Sequence, residues 1–201
     1  MHKLARRAAV VTFAVGAAIG LAATSASATA SSYSWTVTPS GSYTAAATAP
    51  TLTVPFATLV CDSSSVSSGT LQATSATGAG IGNINAISFT NCNVGGIPFT
   101  VTMKATPWKI NAIQPNASNA QWVDATVSTI SAHIAGTGCN ADFTGSVKGH
   151  YANDTGSLVI DGTGNGLVAS NASCLGLINN GDVASFSASY LVNTHPLIKT
   201  P

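Results

Sequence analysis

The run "WVDATVSTISAHIAG", Trp122 to Gly136, alternates apolar and polar residues over its whole length. Side chains on an extended backbone point to opposite faces in turn, so such a run suits a strand buried on one side only. The same period returns along the chain. "PFTVTMKA" sets Phe99, Val101 and Met103 on one face and Thr100, Thr102 and Lys104 on the other. "WKINAI" aligns Trp108, Ile110 and Ala112. "YSWTVT", "TLTVPFATLVC", "AISFTNC", "FTGSVKGHY", "SLVID" and "VASFSASYLV" read as further strands, with Pro55 marking an edge or a bulge. No stretch carries a helical period. Glutamate is absent and lysine is scarce, which removes the usual surface residues of helices. Glycine and Asn/Asp-Gly clusters punctuate the strands. "GSYTAAATAP" and "QPNASNAQ" read as loops, and "SATGAGIGNIN" as a turn or a thin bulged strand. The expected fold is all-β: a single antiparallel β-sandwich or partly open barrel.

The amino terminus has a separate task. Lys3, Arg6 and Arg7 precede an apolar run from Ala8 to about Ala23, followed by small residues. That order describes a secretory signal peptide over residues 1–28, with cleavage after Ala28 or after Ala30. Residues 29–201 are then one secreted β-domain. Its charges are Lys104, Lys109, Lys148 and Lys199 against six aspartates, a slightly negative balance. Nucleic acid needs a basic patch to neutralise phosphate, so it is not an expected partner. Anionic lipid is not expected to attract the domain by charge either. No membrane span is expected after signal removal, and an outer-membrane barrel would carry aromatic girdles that this chain lacks.

Cys61, Cys92, Cys139 and Cys174 form an even set behind a signal peptide, the pattern of two disulfides in an oxidising compartment. Four cysteines allow three pairings. The expected one is Cys61–Cys92 with Cys139–Cys174, since each pair closes a similar loop over a similar run of strands and turns. Each such loop is worth about 3–4 kcal/mol by the chain-entropy account. No pair has the C-x-x-C spacing of a metal site.

No motif specifies an activity. "DGTGNG", Asp161 to Gly166, begins like a calcium loop, but Thr163 is neutral and the bidentate acid of the twelfth place is Ala172. A turn is the better reading. His133, His150 and His195 show no metal-ligand spacing, and His150 is expected to face solvent beside Lys148. His133, Asp124 and Asp142 could join a serine in a hydrolase, yet there is no G-x-S-x-G elbow. Trp35, Trp108 and Trp122 are expected in the core or at its rim, not as a sugar platform. The sequence therefore marks out no catalytic, metal or cofactor residue.

"SGTLQATSATGAGIGNINAISFTNC", "PFTV", "PWKINA", "GTGC" and "CLGLINNGDVASFSASY" together resemble a family of small secreted actinobacterial proteins of the Streptomyces type, with four cysteines at similar spacing. The resemblance implies export and transfers no ligand or catalytic residue. A looser similarity, of composition only, is to the apoproteins that carry enediyne antibiotics. The expected role is non-catalytic, by binding or as structure, outside the cell or at its wall. The alternatives are a carrier of a small apolar ligand and an extracellular hydrolase.

Overall fold

A computed structural model describes residues 33–164 and 166–201. The expected signal peptide, with both cleavage points, lies outside the described residues. Within them the secondary structure is entirely strand and turn. The strands are β1 (Trp35–Thr38), β2 (Gly41–Thr48), β3 (Thr51–Val54), β4 (Ala57–Val60), β5 (Ser63–Leu71), β6 (Thr74–Ser75), β7 (Gly82–Thr90) and β8 (Cys92–Val94). They continue with β9 (Ile97–Met103), β10 (Trp108–Pro115), β11 (Trp122–Gly136), β12 (Cys139–Ala152), β13 (Ser157–Asp161), β14 (Gly166–Ser173), β15 (Val183–Val192) and β16 (Leu197–Lys199).

A small sheet, β16-β1-β6, accompanies one large antiparallel sheet of 13 strands. The large sheet curls into a ring, because its pairing returns on itself by two routes. One circuit runs β3, β4, β8, β9, β11, β12, β14, β15 and back to β3. The other runs β2, β5, β7, β10, β11, β12, β13, β15 and back to β2. The long β11–β12 hairpin and β15 belong to both.

The shared strands must change neighbours partway. β11 pairs with β10 up to Ser128 and with β9 from Ala132, and the change falls at a bulge between Val127 and Ile130. The bulge puts Thr129 at φ 58, a costly setting for a β-branched residue, and its hydroxyl donates to the Ser128 carbonyl at 2.6 Å. β12 pairs with β14 through Ser146 and with β13 from Gly149. Gly145 and Gly149 permit this turn of allegiance. A Cβ at either would sit 1.9 Å from a carbonyl oxygen of the neighbouring strand, Gly166 or Val159.

Two expectations need correction. "GSYTAAAT" is β2, a regular strand, not a loop. Tyr43, Ala45 and Ala47 face the core with polar or small residues between them. Small side chains carry little strand propensity, and burial against neighbours decides instead. Pro55 is neither edge nor bulge within one strand: with Phe56 it forms the turn between β3 and β4.

The core lies inside the ring. Val123, Ala125, Val127, Ile130, Ala132 and Ile134 of β11 all point inward, with the bulge absorbing the change of parity. Trp35, Ile81, Ile134 and Phe143 are fully enclosed. Each large apolar side chain so buried contributes about 1.5–3 kcal/mol against leaving it in water. The outer face of β7, β10 and β11 is a polar ladder: Asn111 donates to Thr126 and Ser128, and Lys109 donates to Asn83. Both disulfides form as expected, Cys61–Cys92 and Cys139–Cys174.

Candidate functional site

Two places hold something to explain: the inside of the ring and a charged cluster on its outside. The ring encloses a cavity of about 110 Å³. Inward-facing residues of both circuits line it, among them Ala45, Leu59, Val127, Ala132 and Phe143. The lining is almost purely apolar. Its tyrosines turn their hydroxyls to the wall: Tyr190 donates to buried Ser64 at 2.9 Å, and Tyr43 to the Asn83 carbonyl at 3.2 Å. Tyr151 has its hydroxyl buried with no partner among the described residues. Burial pushes all three phenols well above their usual range, so they stay neutral and offer no charge to the interior. Buried alanines at positions 45, 112, 125 and 132 are among the lining residues. Apolar cavities of about 150 Å³ stay dry and admit molecules of benzene size. This one is of that order.

The outer cluster centres on Asp142. It points outward from β12 and yet is buried, at 5% exposure, because three side chains cover it. His133 of β11 meets Oδ1 through Nδ1 at 2.7 Å. Lys104, just past β9, and Asn171 of β14 both donate to Oδ2. These hydrogen bonds, Lys104 first, then Asn171 and His133, hold the Asp142 carboxyl far below the ordinary carboxylate range. An ionised Asp142 keeps the proton of neutral His133 on Nδ1, which leaves Nε2 as the acceptor. A ring so oriented can accept a proton or a hydrogen bond. No serine hydroxyl contacts it among the hydrogen bonds of the described residues, and the cluster lies on the sheet surface.

The other sequence candidates separate. Asp124 accepts from Gln114 and Asn116 and lies apart from the pair. At the start of "DGTGNG" Asp161 accepts from the Thr163 amide at 2.9 Å and its hydroxyl at 2.7 Å, the bonding of a turn, which lowers the Asp161 pKa. Trp35 and Trp108 are buried. Trp122 is half-buried and lies flat on His150, centroids 3.9 Å apart. His150 shares the outer face of β12 with Lys148, as expected, and is half-buried there by the Trp122 ring. Among the described residues no three His, Cys, Asp or Glu side chains come together as a metal site. Of the Asp142 cluster, the sequence reading named His133 and Asp142 as hydrolase candidates but not Lys104 or Asn171, which the pairing of β9 and β14 with the β11–β12 hairpin brings to them. No family model, curated protein or solved structure matches the chain.

Proposed function

We propose that this chain is an exported, disulfide-clamped β-domain that works by binding, without a catalytic centre, and that it carries a small apolar ligand inside its ring. The observation that carries the reading is the cavity of about 110 Å³ with an apolar lining. Filling such a void restores dispersion contacts that its walls lack. A wall whose one unpaired polar group among the described residues is the Tyr151 hydroxyl selects against most polar solutes, which would lose their hydrogen bonds to water on entry. The two disulfides suit a protein working outside the reducing cytosol. The direct test is thermal unfolding of the oxidised protein with saturating benzene or toluene, alongside native mass spectrometry of protein taken from culture fluid. A bound ligand at 100 times its Kd stabilises by about 2.7 kcal/mol. Ala132→Leu, which fills the space, should remove the response. No shift with any small apolar probe would end the carrier reading.

A second reading, hydrolysis, has the His133–Asp142 pair in its favour. Turnover of an activated ester that His133→Ala abolishes, with the unfolding midpoint unchanged, would establish it over the first.

A further inference from the structure

The eight-strand circuit that includes β3 and β4 has a consequence at one end. Its registers put four connections there in succession: Pro55–Phe56 between β3 and β4, Gly95–Gly96 between β8 and β9, Thr137–Gly138 between β11 and β12, and residues 174–182 between β14 and β15. The last two touch, since a Cβ added at Gly138 would meet Leu175 Cδ1 at 3.7 Å. Large apolar side chains crown this end: Leu175 is 92% exposed, Phe56 71%, Val183 57%, Ile97 48% and Leu177 42%. Opposite, the connections at 116–121 and 153–156 are built from Asn, Ser, Gln, Asp, Thr, Ala and Gly. That end still exposes Leu191, Ile113 and Leu197, at 51%, 46% and 37%, but the two most exposed large apolar side chains, Leu175 and Phe56, both lie at the crown.

We propose that the crowned end is a lipid-docking surface, which enters the apolar edge of a bilayer without crossing it. Charge argues for this occupant. The four connections contain no Lys, Arg or His and a single acid, Asp182, whose carboxylate already accepts from the Asn179 amide at 2.8 Å. No cation has to be desolvated as the tips enter hydrocarbon. Part of the tip backbone is paired: Leu177 N–H donates to the Cys174 carbonyl, Gly181 N–H to the Ala169 carbonyl, and Gly96 N–H to the Asn93 side chain, which lowers the cost of bringing these tips to the edge of a bilayer. Separate protrusions need no matching pockets in a fluid medium. The Cys139–Cys174 disulfide anchors the most exposed tip to the β11–β12 hairpin.

The test is flotation of the oxidised protein with fluid, zwitterionic phosphatidylcholine vesicles at low and high salt. Binding should be independent of salt, because no basic residue contributes. Phe56→Ser with Leu175→Ser should weaken partition about a hundredfold, tenfold for each side chain. Both residues are exposed, so the unfolding midpoint should stay unchanged, which separates lost docking from lost folding. A Phe56→Trp variant should blue-shift its emission on vesicles. Absence of vesicle binding overturns the proposal. So does binding that the double variant retains, or that requires anionic lipid and fades with salt. Self-association that the double variant abolishes, without vesicle binding, would assign the crown to a second copy of the chain instead.

Discussion

Replacing Cys61 and Cys92 together by alanine attacks the ring at its thinnest seam. β4 and β8 share one register pair, Val60 with Asn93, and the disulfide lies immediately beside it. Elsewhere in that circuit β11 and β12 pair along almost their whole lengths. The residues are 31 apart in sequence. Loop closure at that separation gives a loss of about 3.7 kcal/mol from the freed unfolded chain. The Cys139–Cys174 pair, 35 apart, gives about 3.8 kcal/mol by the same relation. Equal entropy therefore predicts nearly equal losses for the two double variants in urea unfolding, each a midpoint shift of about 2 M for a slope near 2 kcal/mol per molar. Topology predicts a difference in place. In native-state hydrogen exchange the first variant should lose protection at β4, β8 and the adjoining half of β9. The second should lose it around residues 173–182, with the β4–β8 seam intact. A loss below about 1 kcal/mol for the first variant, or exchange that rises equally throughout the ring, would refute the view that this bond closes a circuit which hydrogen bonding barely closes.

Other outcomes follow from single sites. Gly69→Ala should destabilise by about 1–3 kcal/mol in urea unfolding, because its Cβ would fall 2.2 Å from a ring carbon of buried Tyr43. Asp142 has a lowered pKa in the folded state, so its stabilisation is present above the ordinary carboxylate pKa and is lost as pH falls toward the folded value. Asp142→Asn should accordingly lower the melting point at pH 7, with the gap to the parent closing progressively below about pH 4. Tyr43, Tyr151 and Tyr190 have raised pKa values, so the stability they confer is full below pH 10 and declines above it, when only the unfolded chain ionises. Each adds at most about 1.4 kcal/mol per pH unit, and replacing Tyr190 by Phe should flatten the alkaline limb of a stability–pH curve by that amount.

The strands were legible wherever large apolar residues alternate, as in β9, β11 and β15. They were illegible in β2, where Ala45 and Ala47 alternate with Thr44, Ala46 and Thr48 and the contrast between faces is too small to see. Pro55 was seen but misplaced, since only pairing distinguishes a turn from a bulge. The disulfide pairing was legible because each bond joins the ends of a local run of strands. Of the Asp142 cluster only His133 and Asp142, nine residues apart on one hairpin, were named; Lys104 and Asn171 were not, because nothing local links them to that pair.

By itself, then, the order of residues determined an all-β domain held by Cys61–Cys92 and Cys139–Cys174. Alternation and cysteine spacing act over short stretches, where side-chain period and loop length suffice. The ring, its apolar cavity and the crown of Phe56, Ile97, Leu175 and Leu177 were decided by tertiary structure alone. They depend on which strands of β11, β12 and β15 become neighbours, a choice made by packing between segments far apart in the chain.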